Sequence, residues 1–197
     1  MAEPFRIAFA VLAAGQSSRF GEEDKLTAKL RGTMLGLHAV AQLAGIEASH
    51  KWVVASRRDH DCAQGWREAG FEIVENPEAE SGMGSSVALA ASLAIQSGSD
   101  ALLICLADMP LVPQRHYEAI LESARALAED GIAASSTAEA KLPPACFRSG
   151  RFAQLASLRG DAGARCILRD AHIVPCASHL LADIDAPSDL SKLQSTG

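Results

Sequence analysis

Apolar runs of strand length that stop on turn-forming residues alternate with segments of helix length. This order predicts an α/β fold, a three-layer α/β/α sandwich with a mainly parallel sheet between two layers of helices. Two features carry the expectation. Residues 101–106 (ALLICL) are almost wholly apolar, as a strand covered on both faces must be, and they run straight into Ala107, Asp108, Met109 and Pro110. Strands separated by helices also imply right-handed crossovers, so the loops at the carboxyl ends of the strands share one edge of the sheet, where ligands bind. At 197 residues and 48% hydrophobic content, the chain reads as one domain over 1–197 with a substantial core.

Residues 5–12 (FRIAFAVL) form the first strand, which ends in Ala13, Ala14, Gly15, Gln16, Ser17 and Ser18, small residues suited to a loop. A helix follows over 34–46, a second strand over 52–56, a helix over 61–69 and a third strand over 71–75, stopped by Asn76-Pro77. Residues 85–95 are the next helix and lead into the central strand 101–106. Pro113 suits the first turn of a helix that continues to about residue 129, and 131–135 form another short strand. Beyond about residue 139 the alternation loosens. Lys141-Leu142-Pro143-Pro144 interrupts it, 145–147 are a short apolar piece, and 151–158 and 162–169 read as short helices. The stretch 139–182 therefore reads as a lid or acceptor-side subregion of the same domain.

Composition excludes several partners. Eighteen Lys and Arg against 24 Asp and Glu give a net charge of -6 and a pI near 5.5, so no nucleic acid is expected and any phosphate-binding cations are few and placed. No stretch reaches the roughly 18–20 apolar residues that cross a bilayer, and no basic segment precedes an apolar run at the start, which predicts a cytoplasmic protein that binds no membrane. The five cysteines, Cys62, Cys105, Cys146, Cys166 and Cys176, are odd in number and scattered, with no C-x-x-C. They read as buried or incidental thiols in a reducing compartment.

Two polar segments fall at the carboxyl edge of the sheet. In Leu12-Ala13-Ala14-Gly15-Gln16-Ser17-Ser18-Arg19-Phe20-Gly21, then Lys25, small residues let backbone N–H groups approach an anion closely, while Arg19 and Lys25 supply positive charge. The segment lacks both G-x-x-x-x-G-K-[ST] and G-x-G-x-x-G, so it is neither a Walker A loop nor a dinucleotide fingerprint. It is an anion cradle or an ordinary strand-to-helix loop. Asp108 follows the apolar strand directly. It either holds Mg²⁺ against a nucleoside triphosphate, since magnesium takes one or two carboxylates plus phosphate oxygens, or opens the turn before Pro110.

The pair of segments resembles a known family. Leu12 to Lys25 is similar to the L-A-[AG]-G-x-S-x-R-[MF]-G-x-x-K signature of the MobA-like nucleotidyltransferases, and Leu106 to Val112 (LADMPLV) to their L-x-D-M-P-x-[VIL]. Residues 81–87 (SGMGSSV) resemble the turn that opens a helix beside the nucleotide in these enzymes. Residues 158–165 (LRGDAGAR) and 183–190 (DIDAPSDL) resemble stretches of the molybdenum cofactor cytidylyltransferase branch. The matches run nearly the length of the chain, in order.

The resemblance implies a Rossmann-like sandwich of the nucleotide-diphospho-sugar transferase type. It implies that Leu12, Ala13, Ala14 and Gly15 border the nucleotide, that Arg19 and Lys25 meet its phosphates, and that Asp108 holds Mg²⁺ with Asp183 or Asp185 as second ligand. Ser85 or Ser86 would contact base or ribose with Asn76 nearby. For Asn76, Ser85 and Ser86 a structural capping role stands beside this one, and Asp185 has a second reading as the cap of a helix beginning near Pro187. The segment Gly21-Glu22-Glu23-Asp24-Lys25 is one residue longer than the usual G-x-x-K, which leaves Lys29 as the alternative phosphate lysine. Leu142-Pro143-Pro144-Ala145-Cys146-Phe147 replaces a Gly-His-Pro or Gly-Asn-Pro turn on the acceptor side, in 139–182, so the acceptor is open.

The activity so implied is Mg²⁺-dependent transfer of CMP from CTP, or of another NMP, to the phosphate of a molybdopterin-type acceptor, with a molybdoenzyme as recipient. An anionic phosphate nucleophile needs no general base, and the sequence offers no Ser-His-Asp or Cys-His pairing. The alternatives are a sugar-phosphate or other small-phosphate nucleotidyltransferase on the same fold, and a non-catalytic nucleotide- or cofactor-binding protein serving a molybdoenzyme.

Overall fold

The computed structural model describes residues 4–15, 20, 24–138, 140–160 and 167–195. Strand β1 (Ile7–Ala13) is buried along its whole length, with a parallel neighbour on each side, so both faces must be apolar. After it come the short strands β2 (Lys29–Leu30) and β3 (Thr33–Met34), helix α1 (His38–Ala44), strand β4 (His50–Ala55), helix α2 (Ala63–Glu68) and strand β5 (Glu72–Glu75). Helix α3 (Met83–Gln96), strand β6 (Ala101–Leu106), helix α4 (Gln114–Ala126), strand β7 (Ile132–Ser136) and strand β8 (Lys141–Arg148) follow. Helix α5 (Phe152–Ala156), strand β9 (His172–Pro175) and helix α6 (Pro187–Ser195) complete the described chain.

The main sheet has seven strands in the order β5-β4-β1-β6-β8-β7-β9. Only β8 runs antiparallel to its neighbours, β6 and β7. Alternation along β1 divides the core. Phe9 and Val11 face a layer containing Leu43 of α1, Trp66 of α2 and Tyr117 and Ile120 of α4. Ala8, Ala10 and Leu12 face α3 and α5 through Val87, Ala90, Ala91, Ala94, Phe152 and Leu155. The alanines on both sides let α3 lie close to the sheet. Each large side chain taken fully from water contributes about 1.5–3 kcal/mol, so the two layers supply most of the driving force.

The expected sandwich is present, with boundary differences that have physical causes. The helix expected over 34–46 starts only at His38, because Leu35–Leu37 form a 3₁₀ turn whose Gly36 carbonyl accepts the Trp66 indole N–H at 2.9 Å. Pro113 caps α4 from outside, in extended backbone, rather than sitting inside its first turn. The looser stretch after 139 holds two strands that the pattern does not announce. Pro143 and Pro144 lack ladder donors, yet β8 includes them, because the β7 pairing jumps from Ala134↔Ala145 to Ser135↔Leu142 and leaves both prolines outside the register. There the Ser135 hydroxyl donates to the Pro144 carbonyl at 2.9 Å. Strand β9 is a mostly exposed edge with no alternating pattern. Residues 162–166 of the second expected short helix lie outside the described residues.

Among the described residues no helix is long and apolar enough to cross a membrane. Cys62, Cys105 and Cys146 are buried and Cys176 partly so, all free; burial pushes the Cys62 thiol up to about 11 and Cys146 to about 12. Cys166 lies outside the described residues.

Candidate active site

Strands β1 and β6 are neighbours in register, Leu12 opposite Leu106, so the segments that follow them emerge side by side. The Ala107 N–H donates to the Leu12 carbonyl at 3.0 Å and ties the two exits together. Asp108 stands just beyond. Its carbonyl accepts the Ile184 N–H at 2.9 Å, which brings Asp183 and Asp185 to the same edge from the end of the chain. Opposite, a 3₁₀ turn over Lys25–Thr27 begins at Asp24, whose Oδ1 accepts the Leu26 N–H at 2.9 Å. That turn aims Lys25 inward, where the residue is only 8% exposed.

The Lys25 ammonium donates to Asp108 Oδ2 at 2.5 Å and to Asp185 Oδ1 at 3.4 Å, joining groups 83 and 160 residues apart. Burial alone would lower the Lys25 pKa, but the two carboxylates outweigh it and the net shift is upward. Asp183 feels the Lys25 ammonium only weakly. Partial burial, then repulsion from Asp185, holds its carboxyl above the ordinary carboxylate range. Among the described residues the site is a cluster of acids gathered around the Lys25 ammonium.

These groups line a cavity of about 380 Å³, large enough for a small polar ligand. Leu12, Ala13, Ala14 and Gly15 form a wall of it, and Lys25, Asp108, Asp183 and Asp185 line it together with Glu80, Gly82, Met83 and Ser86 from the entry to α3. The wall of small residues comes from β1 running past the sheet edge with no side chain bulky enough to fill the space. The described lining residues include no histidine or cysteine.

Leu12, Ala13, Ala14, Gly15, Lys25, Asp108, Ser86, Asp183 and Asp185 thus meet in one cavity. Lys29 is on β2 with an exposed side chain and is absent from the lining. Arg19 and Gly21 lie outside the described residues, as do residues 161–166, which include all of the GDAGAR stretch but its first glycine. Asn76 and Ser85 are buried behind the wall. The Asn76 amide donates to the hydroxyls of Ser85 and Ser86, both at 2.9 Å, and its carbonyl oxygen accepts the Glu78 N–H at 3.0 Å. This network fastens the entry to α3. Glu80 and Met83 join the lining without being among the residues the sequence singles out; Met83 lies inside the SGMGSSV turn, but only the start of α3 turns it to the cavity.

The model of one protein family, the MobA-like NTP transferase domain, matches residues 9–176, from β1 to the end of the sheet. The chain belongs to that family. Among curated relatives, the purine catabolism protein PucB of Bacillus subtilis (strain 168) is 32% identical over 193 residues, covering 90% of this chain and 91% of PucB. Among solved structures, a nucleotidyl transferase from Methanothermobacter thermautotroptrophicus superposes with a TM-score of 0.79 at 19% identity, covering 97% of each chain. The manganese complex of Rv0371c from Mycobacterium tuberculosis H37Rv gives 0.69 at 22% identity, over 98% of this chain and 100% of the other. This MobA-like chain is therefore a nucleotidyltransferase by family, on the nucleotide-diphospho-sugar transferase fold.

Transferases of this kind work with a divalent metal, and the residues present fit one. Among the described residues Asp108 Oδ1 is a buried oxygen with no hydrogen-bond partner, and its neighbours Asp183 and Asp185 are hard oxygen donors. No three His, Cys, Asp or Glu side chains among the described residues are grouped to hold a metal unaided, so an ion here would take further ligands from phosphate and water.

Proposed function

We propose that this MobA-like transferase moves CMP from CTP to the phosphate of a molybdopterin-type acceptor in a Mg²⁺-dependent reaction, releasing pyrophosphate. The observation that carries the proposal is the meeting of Lys25, Asp108 and Asp185 across one cavity from the small-residue loop Ala13-Ala14-Gly15. An oxygen of the acceptor phosphate bonds to the α-phosphorus as the bond to the bridging oxygen of the leaving pyrophosphate breaks. The nucleophile is already an anion, and among the described lining residues no histidine or cysteine stands as a base.

Charge is the main obstacle, and the chain's own groups address it. Lys25 would neutralise the leaving phosphates, with Arg19 as its partner from the same loop, and backbone N–H groups of Ala13 to Gly15, which line the cavity, would meet the triphosphate. Asp108, with Asp183 or Asp185, would hold Mg²⁺, which supplies charge neutralisation on the phosphates. Ser86 faces the nucleotide, Ser85 and Asn76 brace it, and 139–182 forms the acceptor side.

Cytidine is favoured by Ala14 in Leu12-Ala13-Ala14-Gly15 and by the GDAGAR and DIDAP stretches, which resemble the cytidylyltransferase branch. A molybdoenzyme recipient of the xanthine-oxidising type agrees with the description of PucB as a purine catabolism protein, since xanthine oxidation is a step of purine breakdown. The cytoplasm is the proposed compartment. A pyrophosphate-release screen of the four NTPs with Mg²⁺, with and without molybdenum cofactor precursor, tests this. Catalytic turnover with CTP and the precursor together is the expected result. Turnover with a sugar phosphate instead would name a different acceptor, and stoichiometric binding without release would make the chain a carrier.

A further inference from the structure

Lys25 is delivered by a turn of three residues, too short to fix the direction of a long side chain by its own packing. Something else must hold the turn. Its capping residue, Asp24, uses both carboxylate oxygens: Oδ1 takes the Leu26 N–H at 2.9 Å, and Oδ2 lies 2.7 Å from His60 Nε2. His60 comes from the connection between β4 and α2, and its side chain is 1% exposed against 35% for Asp24. The other ring nitrogen, Nδ1, accepts the Cys62 N–H at 3.0 Å, which assigns the ring proton to Nε2 and makes His60 the donor to Asp24.

The imidazole itself is held. It stacks on Trp66 with centroids 4.8 Å apart and planes 27° apart, and the Trp66 indole N–H donates to the Gly36 carbonyl. The Cys62 thiol donates to the Leu26 carbonyl at 3.4 Å, a second tether on the same turn. A rigid, buried donor thus grips the capping carboxylate one residue before the ammonium that faces the cavity.

We propose that His60 is a positioning residue for Lys25: through Asp24 it holds the 3₁₀ turn so that the ammonium stays aimed at the phosphate site. The proposal rests on Lys25 being the phosphate lysine and goes beyond it, since His60 reaches neither the cavity nor the metal-binding acids. The ring, held in one tautomer by its two hydrogen bonds, orients the turn and exchanges no proton with substrate.

The test uses calorimetric binding of inorganic pyrophosphate with Mg²⁺ to the full chain, together with steady-state kinetics. His60→Phe keeps a ring against Trp66 but removes both nitrogens. It is expected to weaken pyrophosphate binding and raise KM for the triphosphate about tenfold, as for loss of a hydrogen bond to a charged group, with kcat changed less than about threefold. His60→Gln, which restores an N–H donor, is expected to recover most of the loss, and His60→Phe is expected to add less than about twofold on a Lys25→Ala background. Should the phenylalanine variant fail to fold, Asp24→Asn serves instead. Its amide oxygen still caps the turn, but its NH₂ opposes the His60 N–H, and the same loss is expected. A loss confined to the amount of folded protein, with KM unchanged, would mark a structural role alone and overturn the proposal. Full-strength binding by folded His60→Phe or Asp24→Asn, beside a weakened Lys25→Ala, overturns it while leaving the reading of Lys25 intact. Wild-type binding by Lys25→Ala overturns both.

Discussion

Asp108, Asp183 and Asp185 share one cavity with a single ammonium among the described lining residues, and the balance of charge there sets several outcomes. Asp108→Asn keeps the shape of the side chain but removes the charge that pairs with Lys25. A loss of kcat of at least about 100-fold, with a native circular dichroism spectrum, is expected in the pyrophosphate-release assay. Asp183 carries the opposite lesson. Its pKa is raised in the folded chain, first by partial burial and then by Asp185, so its ionised form opposes folding. The penalty is complete above the raised folded value and vanishes below the ordinary value of 3.8. Asp183→Asn should therefore raise Tm at neutral pH by a small, solvent-screened amount, and the gain should fade as pH falls toward 3.8 in a series of melting curves. A wild-type Tm that exceeds the variant's at neutral pH would contradict the repulsion.

At the scale of elements, the start of α3 matters most, because it lines the cavity and abuts Gly160, where the GDAGAR stretch begins. Gly84 donates its N–H to the Gly160 carbonyl at 2.9 Å, and a Cβ added at Gly84 would stand 2.3 Å from that same oxygen. Alanine would normally favour a helix by up to about 1 kcal/mol. Here the clash is with backbone, which has no rotamer to yield, so overpacking of about 1–3 kcal/mol should win. Urea denaturation of Gly84→Ala is expected to give a net loss of stability, and KM for the nucleotide is expected to rise because Met83 and Ser86 move with the helix. Equal stability would show that the 159–160 segment gives way at no cost.

For the whole molecule, a ligand gripped by β1, β6, α3 and the segment before α6 ties together parts of the chain that meet only when folded. Linkage then makes binding visible as stability. At about a hundred times Kd, Mg²⁺ with CTP adds about 2.7 kcal/mol, or about 5–10 °C in Tm for a chain of this size. CTP should shift Tm more than GTP at equal concentration, and a larger shift with GTP would reassign the base.

The sequence by itself determined the β-α alternation, the buried central strand and the two edge segments around Gly15 and Asp108, because local periodicity and turn chemistry record which faces are covered and where strands stop. It also placed Lys25, Asp108, Asp183 and Asp185 as candidates. It left open the choice between Lys25 and Lys29. Only the tertiary structure decided which lysine faces the cavity, since the answer depends on a 3₁₀ turn braced from 36 residues away by His60. Folding likewise decided that Asn76 and Ser85 serve the entry to α3, and that a segment broken by two prolines runs inside the sheet. Those outcomes rest on hydrogen bonds and register between distant segments, which no short window of sequence contains.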